Sequence, residues 1–328
     1  MSIPTISRRQ FLRISSEAVA ATALVGFSGC ISNHQPLRIA VQPWIGYQFI
    51  FLAKQEGWLP SEGLQLLETV NTVDSVAAVV EGRVDGAALT LDEVLRLCDQ
   101  GIALSMVMVF DVSAGADAVL AKPGIKTVSE LKGKRIAVEA SSLGTIMLTK
   151  ILELGGLKRE DLSVLSMDFD HLKTWESHDL DAIITYEPTL SQLLSKGLVN
   201  ICDSRSFPQV IFDVLAVRAE AAERHDKVLR ALIAAHFRAL KLWRSNPIDT
   251  AYRMSARLGV KPEAVKTIFK GLDLPDALYN HRYLTAPAVE MTQSAKEVAH
   301  ILTQEGIMKH PINLDHLILP DYLPREDE

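Results

Sequence analysis

Apolar residues along the chain follow a strand–helix–strand–helix–strand pattern that occurs twice. Leu-Arg-Ile-Ala-Val at 37–41 has a counterpart in Lys-Arg-Ile-Ala-Val at 134–138, and a loop and an amphipathic helix follow each. Alternation of this kind favours two α/β lobes with parallel sheets. Further strands are predicted at 64–67 and 84–90 in the first copy and at 162–165 and 180–186 in the second.

Two short strand-like segments flank the second copy, 117–121 before it and 213–218 after it. The chain is therefore expected to cross between the lobes twice, and a two-strand crossing is a natural hinge. Beyond Glu220, apolar spacing of three to four residues predicts helices that pack on the first lobe. These helices are predicted at 228–243, 247–258, 262–269 and 286–304.

The first thirty residues have the order of a cleavable export signal. Arg8 and Arg9 precede a short apolar run at 18–26, which is too short to span a bilayer, and Gly29-Cys30 follows. The paired arginines resemble a twin-arginine signal, and the small residues before Cys30 resemble a lipobox, in which this cysteine is lipidated. The alternative is a cytoplasmic chain with a basic start by chance and a buried cysteine.

We therefore predict a lipid-anchored periplasmic protein. We also expect the protein to be a monomer. The predicted organisation is a signal peptide at 1–29, a lipidated tether at 30–36, the first part of lobe 1 at 37–117, lobe 2 at 118–215, a return to lobe 1 with C-terminal helices at 216–320, and a loose tail at 321–328.

Charge and cysteine content narrow the function classes. The formal net charge is −6 and Lys/Arg runs are absent from the sequence, which disfavours nucleic acid and anionic lipid surfaces as partners.

With Cys30 assigned to a lipid, Cys98 and Cys202 are expected to be core residues in different lobes, and a disulfide between them is the less favoured alternative.

Several segments resemble one family of binding proteins. Pro43–Tyr47 after the first strand, Leu131–Lys134 before the second copy, and Asp181 leading to Tyr186–Pro188 are similar to the nitrate/sulfonate/taurine and thiamine-pyrimidine (NMT1-like) class of ABC solute-binding lipoproteins. The resemblance covers about residues 37–310. It implies an α/β type II periplasmic-binding-protein fold, two lobes joined by a two-strand hinge. It also implies a small-molecule solute and an ABC permease and ATPase as partners, and leaves the solute open.

The loop after the first strand contains aromatic candidates for ligand contact. Ligands of parallel sheets bind beyond the carboxyl ends of the strands. Trp44 and Tyr47, beside Gly46, can stack on a planar ligand or hold a cation. Core packing is the alternative, and it is the preferred interpretation of Phe49.

The corresponding loop of the second copy opens a helix and contains Ser141, Ser142, Gly144 and Thr145. Free backbone N–H groups there suit a carboxylate, sulfonate or phosphate, whereas plain helix capping is the alternative for each hydroxyl.

The remaining strand ends contain Thr90, Asp92, Tyr186 and Glu187, and these loops hold no lysine or arginine. A receptor for a bare inorganic anion is expected to use such a residue, whereas carboxylates favour an amine or ring N–H donors. Helix capping is the alternative for both acidic residues. The hypothesis is a small zwitterionic or nitrogen-containing solute of aminosulfonate, amine or pyrimidine type, rather than nitrate.

Catalytic motifs are missing from the sequence. It contains no Gly-x-Ser-x-Gly, Gly-x-x-x-x-Gly-Lys or Cys-x-x-Cys, and the nine histidines lack metal-ligand spacing, so no enzyme activity, cofactor or metal is predicted. His171 and His178 are expected to be surface or capping residues.

Two alternatives to an importer receptor stay open: a periplasmic module that signals through a membrane receptor, and an enzyme on the same scaffold.

Overall fold

The computed structural model describes residues 35–311, 313–314 and 316–325. The predicted signal peptide, Cys30, most of the tether and the last three residues of the tail lie outside the described residues. The chain from Pro36 onward forms one compact unit. Within the described ranges, no helix is both long and apolar enough to cross a membrane.

The described residues form eleven strands, separated mostly by helices. They are β1 (Leu37–Val41), β2 (Leu64–Glu68), β3 (Gly86–Thr90), β4 (Ser105–Ser113), β5 (Asp117–Ala121), β6 (Arg135–Glu139), β7 (Ser163–Met167), β8 (Ala182–Tyr186), β9 (Val199–Asp203), β10 (Phe212–Val217) and β11 (Leu272–Asp273).

The α-helices fall into two groups, those that connect strands and those that follow β10. The first group is α1 (Gln48–Gln55), α2 (Thr72–Val80), α3 (Leu91–Asp99), α4 (Ser142–Gly155), α5 (His171–Ser177) and α6 (Thr189–Ser195). The second group is α7 (Ala219–Arg224), α8 (Asp226–Ser245), α9 (Pro247–Leu258), α10 (Pro262–Ile268), α11 (Ala277–Leu284) and α12 (Val289–Gln304).

The strands form two sheets, one in each lobe. The order is β11-β4-β10-β3-β1-β2 in the first sheet and β7-β6-β8-β5-β9 in the second. Each sheet has a parallel part, β2-β1-β3 or β7-β6-β8, which confirms the duplicated pattern. The expectation of parallel sheets is wrong for the remaining strands, since β10 and β5 pair antiparallel to their neighbours.

The two copies contain the same hydrogen bond at the same place in the pattern. The backbone N–H of Arg38 in β1 donates to Asp85, just before β3, at 2.9 Å. In the second copy, the N–H of Arg135 in β6 donates to Asp181, just before β8, also at 2.9 Å. Each aspartate thus ties the turn before one strand to the start of its neighbour.

The chain passes between the sheets after β4 and again after β9. The crossings meet at Ser204, whose Oγ lies 2.8 Å from Ser113 Oγ and accepts the N–H of Gly115 at 2.6 Å. β4, all nine residues of which are buried, was not predicted, because a fully buried strand shows no polar alternation. The domain boundaries given above stay predictions.

The C-terminal helices differ from the prediction in one respect. α8 packs on α1 of the first lobe as expected, but α12 contacts α3 of the first lobe and α4 of the second. At this second contact, Lys150 of α4 forms an ion pair with Glu297 of α12 at 2.6 Å. Cys98 on α3 and Cys202 on β9 are unpaired and belong to different lobes, as predicted.

Candidate ligand-binding cleft

A cavity of about 200 Å³ lies between the lobes, where the carboxyl ends of β1, β3, β6 and β8 meet. The structure brings together most of the residues predicted to bind ligand. Those that line the cavity are Trp44, Thr90, Asp92, Ser141, Ser142, Tyr186 and Glu187. Those that do not line it are Gly46, Tyr47, Gly144 and Thr145.

Tyr47 and Gly46 lie beneath the cavity wall. Tyr47 is fully buried, packs on Phe110 with ring centroids 4.9 Å apart, and donates its hydroxyl hydrogen to Asp213. A Cβ on Gly46 would lie 1.7 Å from Oδ2 of Asp111, so the chain needs glycine there. Phe49 is a fully buried core residue, as predicted.

The helix start at α4 is capped by its own residues. Ser141 accepts the N–H of Gly144 at 3.0 Å, and Thr145 donates to the carbonyl of Ser141 at 3.1 Å. A Cβ on Gly144 would lie 2.2 Å from the carbonyl oxygen of Glu139, which accounts for this glycine.

Ser142 joins the two lobes. Its hydroxyl donates to Asp92 on α3 and accepts a hydrogen bond from Nη1 of Arg96 at 3.1 Å. Sequence reasoning missed Arg96, which lies one helical turn after Asp92 and therefore on the same face of α3.

The cavity lining is strongly acidic. Among the described residues that line it, none is lysine, arginine or histidine. The carboxylates that line it are Asp92, Glu93, Asp117, Glu139, Glu187 and Asp213. The sequence predicted only Asp92 and Glu187, so the acidity of the site exceeds the prediction.

Asp117 is the carboxylate best placed to hold a ligand. It is the first residue of β5, at the crossing between the lobes, and is 3% exposed. Its Oδ2 is buried and has no hydrogen-bond partner among the described residues. Burial, reinforced by the nearby Glu139 and Asp92, raises the pKa of its carboxyl to about 7. The sequence clue was an aspartate at the start of an otherwise apolar strand.

Unlike Asp117, Glu139 is stabilised in its ionised form by hydrogen bonds. It accepts hydrogen bonds from Tyr186 at 2.8 Å and from the Nε2 side of His171, 2.9 Å away. Burial opposes ionisation, but the hydrogen bonds of His171, Ser141 and Tyr186 outweigh it and hold the pKa of Glu139 below its usual value. The expectation that His171 is a surface or capping residue is wrong, since it is 2% exposed and supports Glu139 from behind. His178 is exposed, as predicted.

Two of the cavity carboxylates double as helix caps. Glu93 accepts the N–H of Thr90 at 3.0 Å. Its pKa is raised to about 7, mainly by burial and to a smaller extent by repulsion from Asp92. Glu187 accepts from the hydroxyl and N–H of Ser191 at 2.7 and 3.2 Å, and burial raises its pKa. Glu187 therefore caps a helix, which was the alternative considered for it, and it also lines the cavity.

Behind the cavity, Asp111 of β4 and Asp213 of β10 are directly opposite each other on paired antiparallel strands. Both are buried, and only Asp213 lines the cavity. Burial raises the pKa of Asp111 to about 8; burial and then repulsion by Asp111 raise the pKa of Asp213. Like charges opposite each other destabilise a sheet, so the pair is expected to retain a proton.

Aromatic side chains close the cleft. Trp44 of the first lobe contacts Tyr186 of the second edge-to-face, and its indole N–H donates to Asp111 at 3.2 Å. Phe169 adds a third ring to the lining. The described residues contain no cluster of three or more His, Cys, Asp or Glu side chains arranged to hold a metal ion.

Two α/β lobes, two crossings and a cavity between facing strand ends define the bilobed periplasmic-binding-protein fold. The chain belongs to the family described as NMT1/THI5 like, whose model matches residues 44–250. The predicted family and fold class are thereby confirmed.

Relatives of known sequence agree with this assignment. The taurine-binding periplasmic protein of Escherichia coli (strain K12) is 25% identical over 219 residues, which span 64% of this chain and 66% of that protein. A putative binding protein of Brucella abortus (strain 2308) is 25% identical over 332 residues, 97% of this chain and 99% of its own length.

Solved structures share the fold. The periplasmic aliphatic sulphonate binding protein SsuA from Escherichia coli superposes with a TM-score of 0.73 at 18% identity, covering 87% of this chain and 92% of that one. The desulfurization enzyme DSZB superposes with a TM-score of 0.64 at 16% identity, covering 87% and 97%. The fold therefore occurs in binding proteins and in an enzyme, and the site must decide function.

Proposed function

We propose that this protein is the extracytoplasmic solute receptor of an ABC importer and that it closes on a small nitrogen-rich solute. Within the predicted class of zwitterionic or nitrogen-containing ligands, the acidic lining favours amines and pyrimidines over aminosulfonates. The single observation that supports this choice is the buried, unpaired Oδ2 of Asp117 in a cavity lined by carboxylates.

The charge of the lining argues against an anionic ligand. A sulfonate or nitrate needs hydrogen-bond donors, and charged donors give the strongest bonds to such groups. The carboxylates here repel an anion in a low-dielectric cavity, whereas an ammonium, amidinium or ring N–H group relieves their mutual repulsion. The sulfonate-binding and taurine-binding relatives therefore support a role in transport, but they do not indicate which ligand this protein binds.

The aromatic walls suit the same chemistry. Trp44 and Tyr186 come from opposite lobes, so a ligand held against them stabilises the closed form. A cation gains from the face of an aromatic ring, and a planar pyrimidine gains from stacking.

Calorimetric titration of the purified full chain tests the proposal. The probes are butylamine, 1,4-diaminobutane, butylguanidine, 4-amino-2-methylpyrimidine, taurine, butanesulfonate and nitrate. We expect binding of one or more of the first four compounds and none of butanesulfonate or nitrate. Binding of butanesulfonate or nitrate without any of the nitrogen compounds contradicts the proposed ligand class.

A matched pair of variants locates the binding. Asp117→Asn is expected to weaken binding by about ten- to a hundredfold, since a hydrogen bond to a charged group contributes about 1.5–3 kcal/mol. Asp179→Asn, an exposed aspartate of the second lobe paired with Lys122, should leave affinity unchanged. Equal affinity of both variants would place the ligand elsewhere.

We also propose that a twin-arginine signal exports the chain and that lipidation of Cys30 retains it at the membrane, near its permease and ATPase. The order of Arg8-Arg9, the apolar run and Gly29-Cys30 supports this proposal. Labelling of cells with a radioactive fatty acid should mark the wild type and leave Cys30→Ser unlabelled. Equal labelling of the two proteins contradicts the anchor.

A further inference from the structure

The Asp111–Asp213 pair is too deeply buried to be explained by ligand contact alone. Asp111 is fully buried, does not line the cavity, and has an Oδ1 without a hydrogen-bond partner among the described residues. Its Oδ2 receives the indole N–H of Trp44, and its strand partner Asp213 faces the cavity. Asp111 is thus connected to the cavity wall through two residues that form it.

The groups around the pair do not neutralise it. Tyr47, at the start of α1, donates a hydrogen bond to Asp213, while Glu93 of α3 and Asp117 of β5 add negative charge when they are ionised. Among the described residues, the charges that act most strongly on either member of the pair are those of other carboxyl groups. Two buried carboxylates in this environment cannot both ionise unless a positive charge arrives.

The space around the Asp111–Asp213 pair is also filled. Gly46 permits the approach of Asp111, since any Cβ there would collide with the carboxylate. The close fit holds Asp111 against Trp44, which forms part of the cavity wall.

We propose that Asp111 is a positioning residue that makes the site selective for a cationic ligand. Asp111 shares one proton with Asp213 in the empty cleft, and the pair gives up that proton when a cationic group binds beside Asp213. This inference rests on the proposed function. The step breaks one carboxyl O–H bond and delivers the proton to the solvent buffer, with no redox change. The cation takes over the role of the proton in holding the two carboxylates together.

The test is calorimetry of the full chain with the tightest-binding of butylamine, 1,4-diaminobutane and butylguanidine. These cations stay protonated near neutral pH, so a dependence of the binding enthalpy on the ionisation enthalpy of the buffer counts protons released by the protein. We expect Asp111→Asn to release about one proton fewer per cation than the wild type. The remaining release comes from Asp117 and Glu93, whose carboxyls are unchanged.

The amide introduced by Asp111→Asn retains an oxygen that can accept the Trp44 N–H, so a purely structural role would leave the proton count unchanged. Asp213→Asn should show the same loss of about one proton together with weaker binding, because Asp213 lines the cavity. Asp273→Asn, at an exposed position of β11 in the same sheet, is the control and should match the wild type.

Proton release that is equal in wild type and Asp111→Asn overturns the inference, as does cation binding without proton release. If none of the three cations binds, the inference also fails, and binding of 4-amino-2-methylpyrimidine would then preserve the proposed function. Failure of all four nitrogen compounds overturns both.

Discussion

Trp44 of the first lobe meets Tyr186 of the second edge-to-face, with ring centroids 5.9 Å apart and ring planes at 83°. A carboxylate holds each ring from behind, Asp111 for the tryptophan and Glu139 for the tyrosine. Two buried carboxylates are therefore hydrogen-bonded to the aromatic rings that form the walls of the cleft. A change to one of these groups is expected to affect the others.

Trp44→Ala should weaken binding of the amine or pyrimidine ligand by about tenfold. The variant removes a wall of the cavity and an edge-to-face contact that contributes about 0.5–1.5 kcal/mol to the closed form. Calorimetry with the best-binding probe measures the change. Trp58→Ala is the control, because Trp58 packs under Arg238, outside the cavity lining. Similar losses in the two variants would show a general effect of removing tryptophan.

The ligand-free protein should lose stability as pH rises from about 4 to about 8. Burial raises the pKa of Asp117 and Glu93 to about 7 and that of Asp111 to about 8, above unfolded values near 4. The folded state therefore binds more protons than the unfolded state in this window. Stability is fully present below the unfolded pKa and declines as pH rises through the folded pKa.

Urea midpoints of the ligand-free chain at about pH 5 and pH 8 measure this slope. Asp117→Asn should flatten it, whereas Asp273→Asn should not. A stability that rises steadily across the window would mean that these carboxyls are ionised at little cost in the folded protein.

Gly46→Ala should destabilise the fold by about 1–3 kcal/mol, the usual cost of overpacking a filled core. The added methyl group would meet the Asp111 carboxylate, 1.7 Å from Oδ2 and 2.6 Å from Cγ. Denaturant unfolding measures the loss. In an Asp111→Ala background the same substitution should cost less, since the colliding group is gone. Additive costs in the double variant would place the strain elsewhere.

Lys150→Met should weaken ligand binding only about two- to fivefold. Lys150 of α4 pairs with Glu297 of α12 at 2.6 Å, which links the two lobes. Glu297 is 39% exposed, so solvent screening limits the ion pair to about 0.2–1 kcal/mol. Lys196→Met removes a pair with Glu176 inside the second lobe and is the control. Equal affinities in the two variants would indicate that the α4–α12 contact does not favour closure.

The sequence predicted the repeated part of the fold well, because short β-branched runs and amphipathic helices show clear periodicity. β4 was missed since it is buried on both faces, and the helix predicted at 286–304 begins at Val289. The strand-like segments on either side of the second copy predicted the double crossing, while its position at Ser204 required long-range contacts that no local pattern shows.

The site was predicted in part for a similar reason. Trp44, Asp92, Ser142 and Tyr186 lie at strand ends, where a parallel sheet presents its ligand contacts, and all four line the cavity. Asp117 and Asp213 were seen only as the starts of crossing strands, and their role emerges when the antiparallel pairing brings them to the cavity. Tyr47 was misplaced because one turn of backbone decides whether a side chain faces the cleft or the core beneath it.

A crystal structure of the chain with its best-binding nitrogen compound would show whether Asp117 holds the ligand. We expect closed lobes and a ligand nitrogen within about 3.2 Å of Oδ2 of Asp117, beside the contact between Trp44 and Tyr186. A ligand whose acidic oxygen atoms occupy that position, or one bound away from Asp117, would contradict it.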